Sequence, residues 1–313
     1  MIKRIVVVGS INADLNVHVH RHPNPGETLL GTGGEITAGG KGANQAVSAA
    51  LQGADVAFIG AIGRDPYAAP ALEYLSASGV DLDAVETKEE TTGLAVITIA
   101  ADGENSIVVI PGANALVDAD LVRRHRALLG DAAIIVLQGE IPAEGFAEAV
   151  RWAGGRVVIN LAPVIEVPRD ALLSADPLLA NEHEAGLILG QLGSPVTARD
   201  PEMLAGELLR VGFTSVVLTL GAAGALVADA SGITAVPTPR VAAVDTTGAG
   251  DAFAGALCAR LLRGDSLVRA ATHAARVAAY SVRGAGAQAS YPDLSSRLPG
   301  AGATGNLEPG STT

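Results

Sequence analysis

Near its beginning the chain reads Ile5-Val6-Val7-Val8-Gly9-Ser10-Ile11-Asn12-Ala13-Asp14. The first four residues form an unbroken β-branched apolar run, which is typical of a parallel strand buried on both faces. The glycine that follows indicates a turn, and ligands of open α/β sheets lie where such strands end. These ten residues therefore predict an α/β fold with a polar site just beyond its first strand.

The same pattern recurs along the chain. Further short apolar runs occupy residues 56–59, 134–137, 157–159 and 216–218. Between them lie segments with helical spacing, at residues 44–51, 69–78, 143–153 and 202–211. Alternating strands and helices predict a doubly wound, mainly parallel sheet flanked by helices.

Two segments depart from this rhythm, at about residues 15–38 and 91–111. They alternate apolar and polar residues, as in Val17-His18-Val19-His20, which is typical of antiparallel strands with one wet face. Asp102-Gly103 indicates a hairpin turn. We expect the two insertions to pair as a small β-sheet lid on a single domain of residues 1–298. Residues 299–313 lack an apolar pattern and are predicted to be a disordered tail.

Composition excludes several classes of protein. The formal net charge of −12 argues against a nucleic-acid-binding protein, which needs a basic face. No apolar run approaches the ~20 residues of a membrane span, and the beginning lacks the features of a signal peptide, so we expect a cytoplasmic protein. The single cysteine, Cys258, lies among apolar residues and is interpreted as inert packing.

The sharpest local motif is Asp245-Thr246-Thr247-Gly248-Ala249-Gly250-Asp251, which precedes a helical segment. A glycine turn at a helix N-terminus presents free amides and the positive end of the helix dipole, which together can hold developing phosphate charge. Asp251 stands where its carboxylate can accept the proton of an attacking hydroxyl. The alternative is that Asp251 only caps the helix.

A second glycine cluster reads Gly39-Gly40-Lys41-Gly42-Ala43-Asn44. It is not a Walker A loop, because that motif needs an earlier glycine and a Ser or Thr directly after the lysine. Lys41 and Asn44 can donate hydrogen bonds to sugar hydroxyls, and Asn12 and Asp14, two residues apart on an extended chain, can grip vicinal hydroxyls. The alternatives are a tight strand-to-helix turn and an ordinary Asx turn.

Taken together, these segments resemble the ribokinase family of carbohydrate kinases. The resemblance runs from about residue 5 to residue 292 and rests on the 9–14, 39–44 and 245–251 motifs and on Pro25-Gly26-Glu27-Thr28, in the family's order and spacing. It implies a kinase that transfers the γ-phosphoryl group of Mg-ATP to a ribose-like sugar, with potassium as an activator. It also implies a homodimer formed through the lid.

The resemblance assigns roles at matching positions. It implies sugar contacts from Asn12, Asp14, Gly40, Lys41, Asn44 and Glu140. It implies that Asp251 is the catalytic base and that Gly248, Ala249 and Gly250 form an anion hole. The implied nucleotide contacts are Asn181, Thr219, Gly221, Gly224, Gly250 and Ala275. Glu184 would act on magnesium largely through water, and the implied potassium ligands are Asp245, Thr247, Ser281, Gly284, Gly286 and Ser290.

Some positions allow a plainer interpretation or depart from the family. Asn181 and Glu184 are also spaced as a capped helix start, and His273 is interpreted as a helix histidine with a hydrogen-bond partner rather than as an adenine contact. Ala180 stands where the family often has proline. Ala289 replaces the proline of the usual Gly-Ala-Gln-Pro-Ser cation loop.

The sequence leaves rival functions open. The acceptor could be a nucleoside, deoxyribose or a hexose, although aromatic residues to face a base make up only 3% of the chain. A non-catalytic sugar or nucleotide sensor would be expected to lose Asp251 or its glycines. A dinucleotide oxidoreductase is disfavoured, because the first turn is not Gly-x-Gly-x-x-Gly.

Overall fold

The computed structural model describes residues 3–196 and 200–300. Its strands are β1 (Ile5–Val8), β2 (Asn12–His18), β3 (Gly33–Gly39), β4 (Val56–Gly63), β5 (Asp81–Lys88), β6 (Gly93–Ile99), β7 (Asn105–Ile110), β8 (Ile134–Gln138), β9 (Arg156–Asn160), β10 (Leu178–Asn181), β11 (Ser215–Thr219), β12 (Ala225–Asp229) and β13 (Gly232–Val236). Its α-helices are α1 (Lys41–Leu51), α2 (Ala68–Ala77), α3 (Ala119–Arg124), α4 (Arg126–Asp131), α5 (Ala143–Trp152), α6 (Arg169–Leu173), α7 (Glu182–Gln191), α8 (Pro201–Val211), α9 (Ala249–Leu262) and α10 (Leu267–Ser281).

The large sheet has nine strands in the order β13-β12-β11-β10-β9-β8-β1-β4-β5. All neighbours from β11 through β5 pair in parallel, and the β11–β12 and β12–β13 pairs at one edge are antiparallel. Every apolar run named above lies in one of these parallel strands. The predicted doubly wound, mainly parallel sheet is confirmed.

The continuous apolar character of β1 has a direct structural cause. Val6 and Val8 pack into the hydrophobic core on one face of the sheet, whereas Ile5 and Val7 pack into the core on the other face. Because successive strand side chains point to opposite faces, a strand covered by helices on both sides needs an apolar residue at every position. Cys258 of α9 is buried in the second core, where burial raises the pKa of its thiol to about 12, as expected of inert packing.

The small sheet has the strand order β3-β2-β6-β7 and joins the two predicted insertions. The hairpin between β6 and β7 turns at Gly103, whose N–H donates to the Ala100 carbonyl. Pairing is antiparallel within each insertion, between β2 and β3 and between β6 and β7, whereas the two insertions join through the parallel pair of β2 and β6. Each of them continues from a strand of the parallel sheet, β2 from β1 and β6 from β5, so both leave it in the same direction.

Residues 301–313, which carry most of the predicted tail, lie outside the described residues. Among the helices that the structure describes, none combines the length and the apolar character needed to cross a bilayer.

Candidate active site

The candidate site forms where β1 and β8 end and α1 begins. Glu140, just after β8, accepts hydrogen bonds from the Ser10 hydroxyl at 2.6 Å and from the Lys41 N–H at 3.0 Å. The Ser10 hydroxyl in turn accepts from the Gly42 N–H at 3.2 Å. One carboxylate therefore joins the first turn, the glycine cluster and the end of β8, which are far apart in sequence.

Asn12 begins β2 and is buried. Its Oδ1 accepts a hydrogen bond from Asn114 Nδ2 at 2.7 Å, and Asn114 Oδ1 accepts from the Ile11 N–H at 2.9 Å. Asn114 belongs to the short 3₁₀ turn Gly112–Leu116, directly after the lid. The lid is thus attached to the first turn of the large sheet through a pair of buried amides.

Asp14 lies two residues further along β2, and its Oδ1 is buried with no hydrogen-bond partner among the described residues. Gly39 makes this placement possible, since a Cβ at that position would overlap both carboxylate oxygens. Burial raises the pKa of Asp14 to about 7, and the nearby Glu140 and Asp251 carboxylates add to the shift. A carboxylate that lacks protein donors is suited to accept hydrogen bonds from ligand hydroxyls.

Lys41 is the cation of this acidic site. Attraction to Asp251 raises the pKa of its ammonium above the ordinary value against the opposing effect of burial, and Glu140 and Glu184 raise it further. The lysine therefore remains charged at neutral pH and offsets part of the repulsion among the carboxylates.

Asp251 is the third residue of α9 and is buried. The helix is capped by Gly248 without a side-chain hydrogen bond, so the alternative interpretation of Asp251 as a simple cap is wrong. Its Oδ2 accepts from Asn44 Nδ2 and its Oδ1 from Gln45 Nε2, each at 2.9 Å. The carboxylate thus faces α1 and the sugar-side residues rather than its own helix.

The start of α9 supplies free backbone amides. The Ala249 N–H donates to the Thr246 carbonyl at 3.2 Å, whereas the N–H groups of Gly250 and Asp251 have no acceptor among the described residues. A helix N-terminus with free N–H groups is an anion site. Gly248 turns the chain into it with a φ of 71°, in the left-handed region that favours glycine.

A cavity of about 630 Å³ opens on the other side of this helix start. It is lined by five of the predicted nucleotide contacts, namely Thr219, Gly221, Gly224, Gly250 and Ala275. Phe253, Val241, Ala279 and Val282 add apolar walls. His273 does not line it, since its Nε2 pairs with Gln52 Oε1 at 2.9 Å, and burial together with nearby arginines lowers the pKa of this histidine to about 4.

Asn181 and Glu184 begin α7 as a capping box. Asn181 Oδ1 accepts from the Glu184 N–H at 2.8 Å, and Glu184 Oε2 accepts from the Asn181 N–H at 2.9 Å. The plainer interpretation, a capped helix start, is therefore confirmed, and neither residue lines the cavity. Glu184 nevertheless lies close enough to Lys41 to raise the pKa of the lysine. A single carboxylate at this position suits a magnesium ion that is held mainly by phosphate oxygens and water.

The predicted potassium ligands come from the end of α10 and from two loops that Asp245 joins. Its Oδ1 accepts from the Thr247 N–H at 2.9 Å and hydroxyl at 2.6 Å, and its Oδ2 accepts from the Gly286 N–H at 2.8 Å. Although burial raises the pKa of Asp245, these hydrogen bonds leave it below the ordinary value. The Ser281 hydroxyl donates to the Ala278 carbonyl, and the Ser290 hydroxyl donates to the Ala287 carbonyl. Backbone carbonyl oxygens are therefore the ligands that these two serines could offer to a cation.

Several polar residues at the site gave no signal in the sequence: Ser10, Gln45, Asn114, Gln138, Asn160, Gln288 and Tyr291. Gln45 stands beside Asn44 in α1, but helical spacing does not show which of the two faces the carboxylate. Gln288 and Tyr291 come from the end of the chain, where the motif indicates only a loop. A contact between distant uncharged residues leaves no local pattern to read.

The chain is similar to known proteins along most of its length. Residues 2–294 match the family described as pfkB family carbohydrate kinase. A ribokinase from Schizosaccharomyces pombe is 37% identical over 302 residues, covering 93% of this chain and 95% of the relative. A deoxyribokinase from Salmonella typhi is 34% identical over 296 residues, covering 93% and 96%.

A solved structure extends the likeness to the backbone. The Arabidopsis thaliana ribokinase complexed with ribose and ATP superposes with a TM-score of 0.82 at 32% identity, covering 94% of this chain and 96% of that one. The family model, the full-length relatives and the shared fold lead to one conclusion: the chain belongs to the pfkB family of carbohydrate kinases.

Proposed function

We propose that this chain catalyses the ATP-dependent phosphorylation of D-ribose at its 5-hydroxyl to give ribose 5-phosphate. The observation that carries the proposal is the position of Asp251. Its carboxylate faces the polar cluster of Asp14, Lys41 and Glu140, while the neighbouring amide of Gly250 borders the nucleotide-sized cavity. The names of the relatives supply the acceptor, since full-length relatives are ribokinases and one structure is complexed with ribose and ATP.

The reaction follows from this arrangement. Asp251 takes the proton of the 5-hydroxyl as the hydroxyl oxygen forms a bond to the γ-phosphorus, and the bond from that phosphorus to the leaving oxygen of ADP breaks. The free N–H groups of Gly250 and Asp251 hold the transferring phosphoryl group. Lys41, held charged by the surrounding carboxylates, balances negative charge on the sugar side.

Two cations belong to the proposal. Magnesium, bound with ATP, would neutralise triphosphate charge, and Glu184 would hold it largely through water. Potassium would be held by the end of α10 and the two loops that Asp245 joins, through Asp245, Thr247, Ser281, Gly284, Gly286 and Ser290. A stabilising cation there would steady the turn that leads into Gly248 and the anion hole.

Ribose is favoured over the rival acceptors by the sugar side of the site. Asp14 and Asn12 lie on one strand and can meet neighbouring hydroxyls, of which deoxyribose lacks one. The similarity to a deoxyribokinase is close to that of the ribokinases, so sequence identity does not decide between these two sugars. A nucleoside would need an additional wall for its base.

The first experiment measures ADP release with Mg-ATP and potassium across D-ribose, 2-deoxyribose, fructose and a set of nucleosides. We expect D-ribose to give the highest kcat/KM. A preference for 2-deoxyribose or a nucleoside would support the kinase activity but contradict D-ribose as the acceptor. No turnover on any acceptor, together with measurable sugar or ATP binding, would favour the non-catalytic sensor instead.

The base is tested by Asp251→Asn. Removing a general base costs ~10²–10⁴-fold in rate, so we expect kcat to fall by about that factor. Ribose affinity, measured by calorimetry, should change little, because other residues supply most of the proposed sugar contacts. Near-normal kcat in a folded variant would exclude Asp251 as the base.

We also propose a cytoplasmic homodimer that forms through the lid. The edge strand β7 exposes a row of apolar side chains, including Val108 at 61% exposure and Ile107 at 53%. An unpaired strand edge with apolar residues favours pairing with another chain. The cytoplasmic location accords with ATP as co-substrate.

A further inference from the structure

Among the described residues, the side chains that donate hydrogen bonds to Asp251 are carboxamides rather than charged groups. Its Oδ1 accepts from Gln45 Nε2 and its Oδ2 from Asn44 Nδ2. A second amide lies behind each of these, since Gln138 Nε2 donates to Gln45 Oε1 and Gln288 Nε2 donates to Asn44 Oδ1, both at 2.8 Å. We call Asn44, Gln45, Gln138 and Gln288 the carboxamide network.

The network is sealed from solvent. All four amides and Asp251 are at most 7% exposed. The two outer glutamines come from different parts of the fold. Gln138 is the last residue of β8, and Gln288 is the first residue of the 3₁₀ turn Gln288–Ser290. This turn follows Gly286, whose N–H donates to Asp245. Burying so many uncharged polar groups costs stability, and Gln138 and Gln288 each keep an oxygen without a partner in the described part of the chain.

Gln138 and Gln288, the outer pair of the network, fix the orientation of the amide groups of Gln45 and Asn44. A carboxamide has a donor end and an acceptor end, and only the donor end can face an ionised carboxylate favourably. With Gln138 donating to its oxygen, Gln45 has to turn its nitrogen toward Asp251, and it also donates to Asn160 Oδ1 at 3.0 Å. Gln288 sets the direction of Asn44 in the same manner.

We propose that Gln45 and Gln288 are positioning residues for Asp251, which keep its carboxylate in line with the attacking hydroxyl and the anion hole. The proposal deepens the kinase function proposed above and rests on it. Without these amides the side chain of Asp251 can rotate away from α1. Base catalysis depends on placement, and a displacement of about 1 Å can cost ~10²-fold in rate.

The experiment compares Gln45→Met and Gln288→Met with Gln52→Met. Methionine keeps the size of the side chain but removes its donor. Gln52 is an equally buried glutamine at the end of α1, and it bonds to the Pro292 carbonyl and to His273 rather than toward Asp251. We expect kcat to fall roughly 10- to 100-fold in the first two variants, with KM for ribose and ATP within about threefold of wild type. The Gln52→Met variant should keep its kcat even where it loses as much thermal stability.

A second arm separates positioning from general damage. In an Asp251→Ala background, Gln45→Met and Gln288→Met should no longer lower the residual rate, because no carboxylate remains to be placed. An unchanged kcat in the single variants, a loss equal to that of Gln52→Met, or a further loss in the Asp251→Ala background would overturn the proposal. If only one variant folds, the same criteria apply to it alone. Absence of turnover in the wild-type enzyme would instead contradict the proposed function itself.

Discussion

At the scale of single residues, Asp14 shows how the site stores an unfavourable interaction. Burial and the Glu140 and Asp251 carboxylates raise its pKa from 3.8 to about 7, so the folded chain binds this proton more tightly than the unfolded chain does. Stability therefore falls as the pH rises from about 4 through 7. Above neutral pH the folded protein carries the full cost of an ionised carboxylate whose buried Oδ1 has no donor in the described part of the chain.

Replacing this carboxyl group should therefore stabilise the protein. We expect Asp14→Asn to raise the free energy of unfolding by roughly 1–3 kcal/mol at pH 8, with the gain vanishing near pH 4 where both side chains are neutral. Denaturant unfolding at several pH values measures it, with the exposed Asp83→Asn as control. A gain that is independent of pH, or equal in both variants, would contradict this account. The same substitution should weaken ribose binding.

At the scale of elements, the start of α9 depends on the segment that packs against it. The Tyr291 hydroxyl donates to the Gly248 carbonyl at 2.9 Å, and a Cβ on Gly248 would lie 2.5 Å from both that hydroxyl and Ala287 Cβ. Gly248 is thus required twice, by its positive φ and by close packing. The anion hole is consequently built by two segments, the helix start and the turn that carries Tyr291.

A second glycine near α9 allows the effect of positive φ at Gly248 to be separated from the effect of its close packing. Gly264, just after the other end of α9, has a φ of 90° but open space around its Cβ position. We expect Gly264→Ala to cost about 1 kcal/mol of stability through backbone strain alone, and Gly248→Ala to cost clearly more and to lower kcat. Thermal unfolding and steady-state kinetics measure both effects. Equal losses in the two variants would show that packing against Tyr291 contributes nothing.

At the scale of the whole molecule, two sheets share one site. The large sheet brings Ser10, Glu140 and Asn160 to one edge, because its parallel strands all end there. The small sheet supplies Asn12 and Asp14 from β2, and its edge strand β7 exposes every residue. The sugar side of the site is therefore built partly from the element that we propose to form the dimer.

Association through the lid is tested by Val108→Asp. We expect the wild-type protein to sediment as a dimer and the variant as a monomer, since a charge within the exposed apolar row opposes pairing of two strand edges. Met203 on α8 is 59% exposed and lies outside the lid, so Met203→Asp should remain dimeric. A monomeric wild-type protein, or a dimeric Val108→Asp variant, would refute the proposed interface.

The amino-acid sequence by itself determined part of the regular structure and the local turns. The β-branched runs indicate five strands of the large sheet, β1, β4, β8, β9 and β11, and the Gly248 motif indicates a helix N-terminus, because both depend on neighbouring residues only. The sequence also indicates the start of α7, because the capping box of Asn181 and Glu184 is complete within four residues. The sequence does not predict the parallel pairing of β2 with β6, because alternation shows that a strand has one wet face but not the direction of its partner.

Only the tertiary structure decided which side chains meet at the site. Gln45 and Asp251 are 206 residues apart, Gln288 and Asn44 are 244 apart, and Asn114 and Asn12 are 102 apart. Each of these contacts joins polar side chains on two different elements. The hydrophobic periodicity of either element does not predict such a contact. The hydrogen bonds of Gln45 and Gln288 form because the packing of α1, α9 and the 3₁₀ turn Gln288–Ser290 removes water from these side chains, after which each buried polar group needs a partner.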